Sequence, residues 1–232
     1  MVKLILKHFL ELFFPPLCVC CENRLIKEEK FICLDCLHNL PKTDHLKFHE
    51  NKLEEYFAGR FPFERICSFA YFVKGGSIQK IIHELKYRNN PKLGIYIGQL
   101  CGQEINKYNT IPNIDYIIPV PLHKNRLKKR GYNQALQIAK GISKQTGIPI
   151  LTEALIRMID NPSQTKNSRF SRWKNTEGIF GITDNTLLED KHILLIDDVI
   201  TTGSTLEVCA KQILECSNTK ISIYAIGWAS TI

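Results

Sequence analysis

From Ile66 to Ile232 the chain alternates short apolar runs with stretches of helical period, and this alternation restricts the possible folds more than any other feature. Ile66–Val73 reads as a strand closed by the turn Gly75-Gly76. Ile78, Ile81, Ile82 and Leu85 then recur at i, i+3, i+4, i+7 and predict a helix over Ser77–Tyr87. A second helix starts after Pro91 and runs to about Tyr108, and Tyr116–Val120 is a buried strand ending in Pro119-Val120-Pro121. Ala135, Ile138, Ala139 and Ile142 mark a further helix that stops near Gly147, with Ile148–Leu151 a short strand beyond it. Ile193–Ile196 is a strongly apolar strand, a helix with Leu206, Cys209, Ala210 and Ile213 on its core face follows, and Ile221–Ile226 is the last strand. Strands alternating with helices predict an α/β fold, a parallel sheet flanked by helices.

Two zones precede this domain, so the expected division is 1–45, 46–65 and 66–232. Residues 46–65 are polar and aromatic without clear period and read as a linker or covering segment. A hydrophobic share of 44% with 23% charged residues excludes a disordered chain, a collagen-like chain and a coiled-coil rod. No apolar run approaches the ~20 residues needed to cross a bilayer. Met1–Phe14 imitates a signal peptide, but Lys7, His8 and Glu11 interrupt it and Pro15-Pro16 stands where a small-residue cleavage site would be. It reads instead as an amphipathic helix with Leu6, Phe9, Leu10 and Phe13 on one face, buried against the protein or touching a membrane. The expected compartment is the cytoplasm. A net charge of +8 favours anionic partners, whether phosphates, nucleic acid or an acidic membrane surface.

The richest chemistry lies in Ile193–Thr205, where the apolar strand meets Asp197-Asp198 and then Thr201-Thr202-Gly203-Ser204-Thr205 at the start of a helix. Phosphate needs several N–H donors aimed at one spot, and a helix N-terminus supplies them with a favourable dipole. Gly203 permits close backbone approach, and the four hydroxyls around it add donors. An ordinary cap by Thr202 or Ser204 would account for one hydroxyl, not four beside paired acids. The carboxylates would repel a phosphate, so they should face hydrogen-bond donors such as ribose hydroxyls. The order of features resembles the phosphoribosyl-pyrophosphate signature of type I phosphoribosyltransferases. That resemblance implies Asp197 and Asp198 on the ribose 2- and 3-hydroxyls and residues 201–205 on the 5-phosphate. It also implies displacement of pyrophosphate from the anomeric carbon, with Mg²⁺ carried mainly by the ligand's own oxygens.

Pro119–Gln134 follows a strand and carries five cations between residues 124 and 130, so it reads as a basic strand-end loop at the ligand edge of the sheet. Arg126 and Arg130 are its candidates for pyrophosphate. Lys86, near the end of its helix, either reaches the same pocket or complements the helix dipole. Leu85-Lys86-Tyr87, Arg130-Gly131-Tyr132-Asn133-Gln134, and Gln164 with Arg172, Asn175, Gly178 and Phe180 resemble a narrower family, the competence-associated ComF/GntX-type phosphoribosyltransferase-like proteins. Asn167 departs from it, since members often carry Leu there. Residues 160–178 read as a long functional loop.

Of nine cysteines, Cys18-x-x-Cys21 and Cys33-x-x-Cys36 form two pairs separated by residues 22–32. Two such turns complete a tetrahedral four-sulfur Zn²⁺ site with no open position, which is structural rather than catalytic. Cys20 is the surplus thiol, and the spacing alone leaves open its exchange with Cys18. The family resemblance implies the same zinc-finger-like segment. Three functions stay open on the residues: a phosphoribosyltransferase with an unidentified acceptor, a module holding single-stranded DNA or a DNA-uptake helicase, and a sensor of a phosphoribosyl ligand. The resemblance favours a phosphoribosyltransferase-like protein of natural transformation.

Overall fold

The computed structural model describes residues 14–111, 113–159 and 179–230. The readings for residues 1–13 and 160–178, with Gln164, Asn167, Arg172, Asn175 and Gly178, lie outside them. In chain order the elements are α1 (Leu34–His38), α2 (Lys52–Phe57), β1 (Arg65–Tyr71), α3 (Ser77–Tyr87), α4 (Pro91–Tyr108), β2 (Tyr116–Pro119), α5 (Lys124–Arg130), α6 (Gln134–Thr146), β3 (Leu155–Arg157), β4 (Phe180–Ile182), β5 (His192–Ile200), α7 (Ser204–Leu214) and β6 (Lys220–Trp228). Two short 3₁₀ turns, His45–Lys47 and Asn185–Leu187, complete the set.

Parallel pairing joins the main strands in the order β1-β6-β5-β2, as the alternating pattern requires. The expected strand Ile148–Leu151 shrinks to a single parallel bridge between Ile150 and Ile117. The strands β3 and β4 pair antiparallel as a separate ribbon. Both faces of the sheet are covered. Leu194 and Ile196 of β5 pack with Ile78, Ile81, Leu85, Ile97 and Ile138 from α3, α4 and α6. Ile193 and Leu195 pack the other way, with Leu53 and Phe57 of α2 and Leu206, Cys209 and Ile213 of α7. A strand buried on both faces reads as a continuous apolar run, which is how Ile193–Ile196 reads.

Helices α4 and α6 meet backbone to backbone. A Cβ added at Gly98 would lie 2.1 Å from the Ile138 carbonyl oxygen, and one at Gly141 would lie 2.2 Å from that of Ile95. This contact holds α6 against α4, and α6 itself begins at an Asn133 cap, whose side chain accepts the Leu136 N–H.

The first two zones are not independent of the domain. Cys18, Leu25, Ile32 and Cys33 share one apolar cluster with α3 and α4. Lys80 donates to the Cys20 carbonyl and Phe31 meets the Tyr96 ring at 5.6 Å. Residues 46–65 contain a helix that periodicity did not reveal, because α2 is too short to show a repeat. It is nucleated by a capping box: Asn51 accepts from the N–H groups of Leu53 and Glu54, and Glu54 accepts from the Asn51 N–H at 3.1 Å. Glu54 also holds Arg65 Nε at 2.7 Å in a buried pair. Among the described residues no helix is long and apolar enough to cross a membrane.

Candidate functional site

The strand β5 does not stop at Ile196; its ladder with β6 continues through Asp197, opposite Ala225, to Ile200. The expectation that the acids follow the strand is corrected accordingly. Because side chains alternate along a strand, the adjacent carboxylates face opposite sides of the sheet. Asp198 is 7% exposed, on the side of α3, and forms an ion pair with Lys86 Nζ at 3.1 Å. It is thus a buried group and not a solvated strand end. Asp197 is half-buried on the side of α7 and accepts the Asp198 N–H at 2.8 Å. Burial and the neighbouring Asp198 charge push its pKa up to about 7, against the opposing pull of Lys86 and Arg130.

The run at 124–130 is a helix, α5, where a loop was expected. His123 caps it through the Asn125 N–H, and Gly131 closes it in the left-handed conformation at φ 78°. Arg126 and Arg130 stand four residues apart on one face and are half-buried, while Lys124, Lys128 and Lys129 are exposed. Arg130 donates to Gln134 Oε1 at 2.8 Å. Gln134, 1% exposed, in turn donates to the Leu85 carbonyl at 3.4 Å, and the Tyr132 hydroxyl donates to that same carbonyl. The residues next to Lys86 and those next to Arg130 are therefore bonded to each other. Lys86 pairs with Asp198, and Arg130, tied to Gln134, adds a weaker favourable charge toward Asp197.

Thr201–Thr205 wrap a hollow of about 50 Å³ that Asp197 also lines. The cap position of α7 is Gly203, with φ 70°, and the only side-chain hydrogen bond from an N–H of the first turn among the described residues is a long one, from the Ser204 N–H to Thr202 Oγ1 at 3.5 Å. Thr202 Oγ1 and Ser204 Oγ lie 3.0 Å apart. Apart from that long Ser204 contact, no side chain among the described residues accepts from the first turn of α7, which leaves N–H groups there for an anion.

Sequence reasoning missed what lies behind this loop. Phe57 of α2 leaves no room at Gly203, where a Cβ would approach its Cζ to 2.3 Å. Arg60 donates to the Thr202 carbonyl at 3.1 Å and to Glu207 Oε2 at 2.9 and 2.6 Å, and the Tyr56 hydroxyl reaches the Thr202 carbonyl at 3.3 Å. Nothing in Tyr56–Arg60 announces that contact, because it depends on a partner almost 150 positions on. A wider hollow of about 370 Å³ opens at the opposite edge of the sheet, lined by Arg65, His192 and Lys220 at the starts of their strands. Ligands of open α/β sheets bind at the carboxyl ends of the strands, where the acids and the loop stand.

The four paired cysteines come together. The sulfurs of Cys18, Cys21, Cys33 and Cys36 lie within 4.8 Å of one another, and Cys21 and Cys33 are 3.7 Å apart. Tetrahedral Zn–S bonds of about 2.3 Å require sulfurs about 3.8 Å apart, so the set could hold a metal. Burial would raise the Cys18 thiol, but the N–H groups of Cys33, Cys21 and Cys20 outweigh it and bring its pKa down to about 6. Cys20 stands outside the cluster, with its sulfur toward the Ser77 carbonyl and its pKa raised by burial to about 11.

No family model matches the chain. It is 23% identical over 228 residues to competence protein F of Haemophilus influenzae, covering 94% of this chain and 99% of that protein. It is 24% identical over 219 residues to the DNA utilization protein YhgH of Escherichia coli K12, covering 90% and 89%. Competence protein ComFC of Bacillus subtilis is 35% identical over 99 residues, covering 43% of this chain and 38% of that one. Among solved structures, a purine phosphoribosyltransferase from Pyrococcus horikoshii aligns over 62% of this chain and 85% of its own, with TM-score 0.35 and 17% identity. An allosteric regulatory enzyme of purine biosynthesis aligns at TM-score 0.40 and 17% identity over 59% of this chain, and this chain spans only 25% of it.

Proposed function

We propose that this chain, a homologue of the competence protein F, ComFC and YhgH proteins, binds phosphoribosyl pyrophosphate with Mg²⁺ at the carboxyl edge of its sheet and acts in the handling of DNA during natural competence. The observation that carries the reading is the Lys86–Asp198 ion pair together with Asp197 lining the same hollow as Thr201–Thr205 at the start of α7. Ribose hydroxyls donate to the two carboxylates, and the N–H groups and hydroxyls of residues 201–205 hold the 5-phosphate. Lys86, Arg126 and Arg130 offset the charge of the pyrophosphate. Mg²⁺, brought with the ligand, would neutralise further charge on the pyrophosphate and ribose oxygens.

Such a site needs no protein nucleophile. As the bond from the anomeric carbon to pyrophosphate lengthens, positive charge grows on the ribose and negative charge on the leaving group. Preorganised carboxylates and cations stabilise both. The four-cysteine cluster is read as a structural Zn²⁺ site, since four sulfur ligands leave no position for substrate. A chain relying on unpaired thiolates for metal suits a reducing compartment such as the cytoplasm.

Calorimetry with phosphoribosyl pyrophosphate and Mg²⁺ tests the pocket, and a screen of nitrogen-base acceptors for pyrophosphate release separates a transferase from a ligand sensor. Absence of any binding would end both readings. A second reading rests on the division of cations along α5. Lys124, Lys128 and Lys129 are exposed where Arg126 and Arg130 are half-buried, and suit single-stranded DNA or a DNA-uptake helicase.

A further inference from the structure

We infer that Arg60 is a positioning residue of the phosphate loop, which screens the Glu207 carboxylate from a bound phosphate and turns the Thr202–Gly203 peptide toward it. The inference rests on the pocket reading above. Glu207 belongs to the first turn of α7, and its N–H makes the helix's first bond, to the Gly203 carbonyl at 2.9 Å. An acid there favours the helix by its interaction with the dipole, but it stands one turn from the N–H groups offered to phosphate and opposes a second anion. Both of its oxygens are occupied. Lys211 takes Oε1 at 2.7 Å, and Arg60 takes Oε2 through Nε and Nη2. Burial acts to raise the Glu207 pKa, but the hydrogen bonds from Lys211 and Arg60 outweigh it, so the carboxylate stays charged and its charge must be answered.

Arg60 answers it while holding the loop. Its guanidinium lies 4.6 Å from the Phe57 ring centroid, the same ring that packs on Gly203, which limits its freedom. In a trans peptide the C=O and the following N–H point opposite ways. Arg60 and Tyr56 draw the Thr202 carbonyl to their side, so the Gly203 N–H is sent to the other side of that peptide. One side chain from the covering segment thereby sets the electrostatics and the orientation of a loop that it does not adjoin in sequence.

Binding of ribose 5-phosphate, which presents one phosphate and no pyrophosphate, is measured by calorimetry for the full-length wild type, Arg60→Met, Arg60→Lys, Glu207→Gln and the double variant Arg60→Met/Glu207→Gln. We expect Arg60→Met to bind at least ten-fold more weakly and the double variant to recover several-fold of that loss. Arg60→Lys, which keeps the charge and the fold but not the two-point contact, should fall between wild type and Arg60→Met. Rescue by removing a carboxylate is the readout that a purely structural role would not give. Equal affinity in wild type and Arg60→Lys together with Arg60→Met, or a double variant no better than Arg60→Met, overturns the inference alone. A wild type that ignores ribose 5-phosphate overturns the pocket reading and the inference with it.

Discussion

The cysteine cluster and the acid edge both gather ionisable side chains, but over very different lengths of chain. Cys18, Cys21, Cys33 and Cys36 come from two turns of one early segment, whereas the acid edge draws on Lys86, Arg130, Asp197 and the loop to Thr205. The first cluster is held together by short connections within one segment, and its sulfurs could share an ion. The second is held by strand order, by helix packing at Gly98 and Gly141, and by the bonds of Tyr132 and Gln134 to Leu85. The difference predicts opposite weaknesses. The cysteine cluster should fail as a structure, and the acid edge should fail as a ligand site while the fold persists.

Removing the metal should have the largest effect. Protein purified without added metal should carry one zinc per chain by elemental analysis. Chelation, or Cys21→Ser, should lower the melting temperature of the whole chain, since structural zinc contributes on the order of 10 kcal/mol and this segment shares its apolar cluster with α3 and α4. A zinc-free protein with an unchanged melting curve would break the comparison at its first term.

At the acid edge, Asp198→Asn should weaken phosphoribosyl pyrophosphate binding by about 1.5–3 kcal/mol, the worth of a charge-assisted hydrogen bond. The loss of stability should be smaller, about 1–2 kcal/mol, because the Lys86 side chain is 20% exposed and its freed charge can be hydrated. Calorimetry and urea unfolding measure the two separately. Unchanged affinity would remove the acid pair from the site.

Asp197 sharpens the contrast through pH. Its folded-state pKa of about 7 lies above the ordinary 3.8, so between those values the folded protein holds a proton that the unfolded chain has released. Its contribution to stability is complete below the lower value and is lost as pH rises through the higher one, at most by roughly 1.4 kcal/mol per pH unit. Denaturation followed from pH 4 to pH 8 should show a slope that Asp197→Asn removes. The same slope in both proteins would assign it to another group.

The smallest effect is expected on α5. Replacing the exposed Lys128 and Lys129 by Ala should change stability by no more than about 0.5 kcal/mol. It should reduce the salt dependence of single-stranded DNA binding by roughly 0.7 per lost contact. An unchanged slope would take these lysines out of any nucleic-acid surface.

Patterns of short range were legible from the residues. Ile78, Ile81, Ile82 and Leu85 define α3 with its observed ends, and the paired cysteine spacing identifies the four sulfurs that meet. The parallel sheet also follows, because strand and helix alternate along the chain and a parallel pair needs a crossover. Asp197, Asp198 and the Thr-Thr-Gly-Ser-Thr run are visible as chemistry, since adjacent acids and clustered hydroxyls are local facts. The Gly94, Gly98 and Gly102 spacing on α4 was equally open to view, and is the signal that would have announced the contact with α6.

What each group faces was decided in three dimensions. Extending β5 through the acids to Ile200 sends Asp197 and Asp198 to opposite sides of the sheet, where one meets Lys86 and the other lines the loop. Arg60, in a segment without period, becomes the clamp on Thr202 and Glu207 because α2 packs Phe57 against Gly203. The physical reason is common to both cases. Periodicity and spacing record contacts within a turn or two of chain, whereas a charge takes its partner from whatever the folded core carries into reach. The sequence states which charges exist, and only tertiary packing pairs them.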